Sequence, residues 1–222
     1  MIAEIPDATN AELARRHVVY AETGGFRRRR TSGIDVDLFE DYQSRFSGLV
    51  HLPAGALLPA DPMRRGIEIL VCRGQIEFDG VLLGQFGYAR RPGAPEPIVA
   101  AASDATLFVK RGHIPSEDRF ETVIEPQPEL WQERQHGELL TLKLHHHTGI
   151  AVSLMRYRPG ATAVVRRRIG GEEILVLDGT LLDERSAYPR GTWIRNPPGS
   201  VNEPFSVEGC LLYLQTGHLP IV

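Results

Sequence analysis

Three consecutive histidines, His145, His146 and His147 in LKLHHHTGIAV, form the one histidine cluster of this chain. Imidazoles are the side chains that most readily ligate a transition metal or shuttle a proton near neutral pH. Strand alternation puts His145 and His147 on one face and His146 on the other. A metal at this hairpin tip would need a third ligand from elsewhere, so a polar turn is the expected role. His113 and His218 recur in two matching segments, GHIP and GHLP, where a capping role at the end of each half is expected. Arg27 to Arg30 form a run of four arginines, read as a solvated strand edge, with an anion or partner site as the alternative. There is no GxSxG elbow, glycine-rich phosphate loop, HExxH or nucleic-acid module. No residue is therefore assigned a catalytic role.

The elements that hold these side chains are set by an internal repeat. Gly66, Glu68, Ile69, Leu70, Val71 and Gly74 recur as Gly171, Glu173, Ile174, Leu175, Val176 and Gly179, an offset of 105 (171 − 66). Gly55-Ala56 answers Gly160-Ala161, and Gly112-His113 with Pro115 answers Gly217-His218 with Pro220, at the same offset. A spacing kept from the start of a unit to its end marks a tandem duplication of a small domain, unlike the short repeats of a solenoid. The runs EILVCRG and EILVLDG are short, aliphatic and ended by glycine, and YARRPG and TWIRNPPG run into Pro-Gly turns. Such spacing indicates an all-β sandwich or barrel rather than βαβ units. Residues 8–16, ATNAELARR, are the best helical candidate. The domains expected are an N-terminal segment at 1–19, a first barrel at 20–117, a linker at 118–131 within the acidic, proline-bearing PSEDRFETVIEPQPEL, and a second barrel at 132–222.

Composition narrows the function classes. With 42% hydrophobic and 24% charged residues the chain has ordinary globular proportions. A net charge of −3 argues against non-specific nucleic-acid binding. Cys72 and Cys210 do not correspond under the repeat and form no CxxC, so reduced thiols and a cytoplasmic setting are expected. No apolar run approaches the ~20 residues that span a bilayer, and MIAEIPDATNAELARR lacks a signal-peptide h-region, so no membrane partner is expected.

In the second half GGEE opens a strand, then come a glycine turn, an acidic DE turn, a YP-x-G turn, RNPPGS, and Gly-Cys before the last strand, over about 45 consecutive residues. This run resembles the ChrR-like cupin family. The family is named for the cupin part of an anti-sigma factor that responds to singlet oxygen. The resemblance implies two double-stranded β-helix jelly-roll barrels in tandem, a bicupin. It also implies a zinc or iron held in the barrel mouth by H-x-H-x-x-x-E and a later histidine. In this chain Arg166 and Arg168 stand at the two histidine positions of the second copy, Glu172 keeps the carboxylate, and Asn202 takes the late histidine's place. The first copy carries Asp61, Met63, Ile67 and Glu96 at the corresponding positions.

Those replacements change the expected chemistry. Guanidinium stays protonated and cannot ligate a divalent cation, so no metal cofactor is expected although the family would carry zinc or iron. Two arginines aimed into a barrel mouth favour a carboxylate or phosphate instead; the alternative is that they point outward and pair with Glu172, Glu173 or solvent. In the first copy Asp61, Glu68 and Glu96 are oxygen donors that could hold a hard cation weakly, and solvent-exposed carboxylates are the expected outcome. The zinc-binding N-terminal domain of the named anti-sigma factor has no counterpart in residues 1–20. The leading expectation is a non-catalytic sensor or interaction module in stress-linked transcription regulation, with a small anion, a protein partner or a second copy of the chain as partners. A metal-dependent dioxygenase or hydrolase with an unusual ligand set is the alternative.

Overall fold

Alternating apolar residues with glycine and proline between them produce eighteen strands and two short 3-10 turns among the described residues. The computed structural model describes residues 10, 12–20, 27–31, 33–42 and 44–220. The chain divides into two compact units, the first built on Arg27–Glu125 and the second on Pro126–Val222. The second unit also takes an N-terminal piece holding strand β1 (His17–Val19).

Unit 1 contains β2 (Arg27–Thr31), β3 (Ile34–Tyr42), β4 (Arg45–Leu52), β5 (Ile67–Arg73), β6 (Ile76–Phe78), β7 (Val81–Leu83), β8 (Tyr88–Arg91), β9 (Val99–Ala101), β10 (Ala105–Arg111) and β11 (Thr122–Ile124). Seven of these form an antiparallel sheet in the order β11-β8-β5-β10-β4-β3-β2, and β7-β6-β9 form a smaller one. Ile67, Ile69 and Val71 of the large sheet share one apolar cluster with Ile76, Phe78, Val99 and Ala101 of the small sheet. The core therefore lies between two sheets, as in a jelly roll.

Unit 2 contains β12 (Gln132–Arg134), β13 (Leu139–His147), β14 (Ile150–Tyr157), β15 (Glu172–Leu182), β16 (Ala187–Pro189), β17 (Trp193–Asn196) and β18 (Cys210–Thr216). Its large sheet runs β1-β17-β15-β18-β14-β13-β12. The far half of β15 pairs with β16, and Phe205 bridges Leu182 and Thr162 to build the smaller face. The two tandem barrels expected from the repeat are present.

The repeat extends to irregularities. A register shift falls between Leu38 and Glu40 in the first unit and between Lys143 and His145 in the second, 105 residues on. Gly74 and Gly179 sit at φ +79° and +68°, and a Cβ at either would stand 2.2 Å from a carbonyl oxygen, that of Asp104 or Gly209. Only glycine fits such a turn, which explains its presence in both copies.

Two local expectations change, and a third holds. Of the helical candidate 8–16, residues 10 and 12–16 form bends and turns, with Arg15 N donating to Glu12 O at 3.1 Å, and residues 8, 9 and 11 lie outside the described residues. So short a segment does not sustain an isolated helix, and the residues that follow are drawn into β1 by pairing with β17. The linker expected at 118–131 is partly structure of the first unit. Asp118 is buried against Arg90 at 2.6 Å, and β11 pairs with β8, so the division falls after Glu125. The arginine run is the solvated strand edge expected of it, edge strand β2, with Arg28, Arg29 and Arg30 facing Asp37, Asp41 and Asp35 of β3 at 2.8, 2.9 and 3.8 Å.

Candidate functional site

Strand register shows which side chains face the interior of the second barrel. Leu139, Tyr157 and Cys210 belong to its apolar cluster. Two residues along lie Thr141, Met155 and Leu212, and then Lys143, Ser153, Leu214 and Ile174. The register shift in β13 then advances the pattern by one residue. His146, not His145, continues the row, opposite Ala151, and that row runs on through Thr216 and Glu172 to Asn196. The interior thus passes from an apolar floor to a polar mouth.

Glu172 is the anchor of that mouth, with 1% of its surface exposed. Its Oε2 lies 2.7 Å from Arg168 Nε, and its Oε1 accepts from Asn196 Nδ2 at 2.8 Å and Asn202 Nδ2 at 3.0 Å. Arg168 is itself clamped, its backbone N–H donating to Ser200 O and its carbonyl accepting from Gly199 N–H, both in the PPGS turn. Behind Asn196 stands the N-terminal piece. Arg16 Nε donates to Asn196 Oδ1 at 2.7 Å, and Arg16 Nη2 donates to Asp183 at 3.1 Å and to Tyr188 Oη at 2.7 Å. Burial, reinforced by a hydrogen bond to Asp183, pushes the Tyr188 phenol up to about 12.

A cavity of about 550 Å3 opens beside this anchor. Its basic lining is Arg134, Lys143, Arg166 and Arg168, with His145 and His146; Leu139, Val152, Met155 and Ala163 supply apolar surface. No aspartate or glutamate is among its described lining residues. Among the described residues Arg134 hydrogen-bonds only the neutral Gln132 side chain and the Glu133 carbonyl. The arrangement can therefore accept an anion through bidentate guanidinium contacts.

Of the four residues the sequence singled out, Arg168, Glu172 and Asn202 are brought into contact, and Arg166 lies on the same cavity wall. The expected pairing of an arginine with Glu172 holds for Arg168. Sequence reasoning did not find Lys143, Arg134 or the inward His146. Arg134 was signalled by its 105-residue partner Arg29, whereas His146 depends on a register shift that alternation does not reveal. His145, expected as part of a polar turn, lines the cavity beside it.

The donor set does not fit the family's metal. Two of the four positions are guanidinium, both Glu172 oxygens are already engaged, and no group of three His, Cys, Asp or Glu in ligating range exists among the described residues.

In the first unit the expectation of exposed carboxylates is corrected. Asp61 is 6% exposed, held by Arg65 Nε at 2.7 Å and Nη2 at 3.1 Å, and its own N–H donates to Glu96 Oε2 at 2.5 Å. Glu96 is paired with Arg111. Ile67 is core at 1% exposure, while Met63 is 59% exposed. Glu68 points away from Ile67 by alternation, where Tyr88 Oη donates to it at 2.7 Å and Arg90 Nε lies at 3.4 Å. The three carboxylates thus do not converge as a cation site. The second copy repeats the Glu68 arrangement, with Trp193 Nε1 donating to Glu173 at 2.8 Å. His113 donates through Nε2 to Phe46 O and accepts from Arg45 through Nδ1, and His218 lies 3.4 Å from Glu173. Both cysteines are free thiols, and burial raises the Cys210 thiol to about 11.

Burial alone would raise the Asp61 carboxyl. Hydrogen bonds from Arg65 and Met63 and the Arg65 charge outweigh it, leaving the pKa below the ordinary carboxylate value. A depressed folded pKa adds stability that is complete above the unfolded value of ~3.9 and lost as pH falls through the folded one. In urea unfolding, the stability gap between wild type and Asp61→Asn should be widest near neutrality and shrink in acid. A gap constant with pH would remove the ionic account of Asp61.

Comparison with known proteins agrees with the fold. Residues 120–220 match the family model described as the ChrR Cupin-like domain. No curated protein sequence is significantly similar to the chain. Among solved structures, protein YlbA from E. coli aligns with TM-score 0.68 and 17% identity over 95% of this chain and 94% of its own. A cupin 2 conserved barrel domain protein from Leptotrichia buccalis gives TM-score 0.62 and 12% identity over 94% and 98%. A variant of salicylate 1,2-dioxygenase from Pseudoaminobacter salicylatoxidans, in complex with gentisate, gives TM-score 0.60 and 10% identity over 96% and 84%. At these identities the likeness is one of fold. No helix among the described residues is long and apolar enough to cross a membrane.

Proposed function

We propose that this chain, whose residues 120–220 match the ChrR cupin-like family model and which folds as two barrels, is a non-catalytic sensor of stress-linked gene regulation whose second barrel binds a small anion. The observation that carries the reading is the cavity lined by Arg134, Lys143, Arg166 and Arg168 with no acidic residue in its described lining. Glu172 offsets one positive charge, that of Arg168. The remaining cations are exposed and carry no counter-charge among the described residues, and a carboxylate or phosphate entering the cavity makes charge-assisted hydrogen bonds with them. The apolar side of the cavity, with Leu139, Val152 and Met155, favours an organic anion with a hydrocarbon body. Gentisate, held by a protein of the same fold, is a ligand of that kind.

Thermal melts with benzoate, phosphate and a neutral control such as benzamide test it. Both tryptophans, Trp131 and Trp193, lie in the second unit, so their fluorescence reports that unit's transition. A rise with either anion and none with benzamide is expected; no rise with any anion at millimolar concentration removes the reading.

A metal-dependent enzyme is the second reading, favoured by the fold likeness to a dioxygenase. It requires ligands other than the family's positions, since those hold Arg166, Arg168, an engaged Glu172 and Asn202. Elemental analysis before and after mild chelation separates the two. A stoichiometric, chelator-resistant transition metal would put the enzyme first.

A further inference from the structure

The first barrel contains a second cavity, of about 310 Å3, and nine of its fourteen lining residues fall on positions that line the second barrel's cavity under the 105-residue offset. Arg29 answers Arg134, Val36 answers Thr141, Leu38 answers Lys143, Phe46 answers Ala151 and Asp61 answers Arg166. The two cavities are the same place in two copies of one barrel, with opposite chemistry. Where the second copy presents a lysine and a threonine hydroxyl, the first presents aliphatic side chains. Where the second carries uncompensated arginines, the first cancels its charges: Arg65 holds Asp61 at 2.7 Å, Arg29 lies 2.9 Å from Asp41, and Arg111 is paired with Glu96. Three guanidiniums thus meet three carboxylates, and the rest of the wall is aliphatic, aromatic or proline.

We propose that the first barrel binds a small, uncharged apolar molecule, of the size of a substituted single ring, in the cavity walled by Val36, Leu38, Phe46 and Val50. An anion gains nothing from arginines already neutralised, and a cation would need Asp61 or Glu96 to abandon a buried guanidinium, which is strongly unfavourable. An apolar guest meets hydrocarbon on most sides and displaces poorly bonded water. The volume lies at the lower end of the roughly 300–1,000 Å3 typical of ligand pockets and suits one ring with a short substituent. This site stands independently of the anion reading of the second barrel.

The test uses the full-length, methyl-labelled protein and two probes of one shape, toluene and benzoate. Toluene is expected to shift the methyl resonances of Ile34, Val36, Leu38 and Val50 saturably while leaving Leu139 and Met155 unmoved. Toluene that leaves the first-barrel methyls unmoved, or shifts them no more than those of the exposed Leu57 and Ile98, overturns the proposal. Benzoate reads only on the second barrel, so failure of either reading is seen separately. Val36→Thr keeps the side-chain shape and installs the residue type of the other copy. It should weaken toluene several-fold and leave the benzoate response unchanged; an unaltered toluene affinity would also overturn the proposal.

Discussion

Replacing both Arg166 and Lys143 with alanine is expected to abolish the thermal stabilisation that benzoate or phosphate confers on the second unit. A ligand present at a hundred times its dissociation constant stabilises the folded state by about 2.7 kcal/mol. For a unit of roughly 100 residues that is a rise in melting temperature on the order of 10 °C. Both side chains are exposed and neither has an ion pair among the described residues. Their removal should therefore change the ligand-free melt little, within about 0.5 kcal/mol. Loss of the ligand response with an unchanged baseline assigns these two cations to binding. A double variant stabilised by anions as much as wild type would place the anion elsewhere.

The second large effect has two parts of opposite sign. Glu172→Gln should destabilise the ligand-free protein and tighten anion binding. The buried carboxylate is ion-paired with Arg168 and accepts from Asn196 and Asn202. Glutamine can keep one oxygen for the two asparagines, but its amide turns N–H groups toward Arg168 Nε. Breaking a buried ion pair costs about 3–5 kcal/mol, and the 21% exposure of the Arg168 side chain lowers that to about 2–4. Meanwhile Arg168 loses its partner and the mouth gains one unit of positive charge. Affinity for benzoate should rise about tenfold, or 1.4 kcal/mol, within the range of one added charge at contact distance in a partly screened site. A melt unchanged from wild type would mean the pair is not structural. Weaker binding would mean Glu172 helps hold the ligand rather than restraining Arg168.

Much of the architecture was legible because duplication copies constraints along with residues. Gly74 and Gly179 mark the same forbidden Cβ position, and the EILV runs mark the same central strand in each barrel. Three features were not legible, each for a physical reason. The shift at Lys143/His145 moves every later side chain of β13 to the other face, and nothing in LKLHHH announces it. Asp61 reads as a turn carboxylate until folding places Arg65 across it and Glu96 beneath its N–H. His17–Val19 carries too little pattern to be recognised as a strand without its partner.

That short strand has a consequence for how the protein is made. Arg16 is separated from Asp183 by 167 residues, and the whole first barrel is translated between them. At ribosomal speeds of about 5–20 residues per second, β1 spends roughly 10–30 s outside the exit tunnel before β17 can emerge. During that interval the first barrel can complete its fold while the strand that precedes it waits unpaired. That sheet edge is thus built partly from residues synthesised before the whole first barrel. A nascent chain stalled before β17 would hold one finished barrel and a loose thread intended for the other.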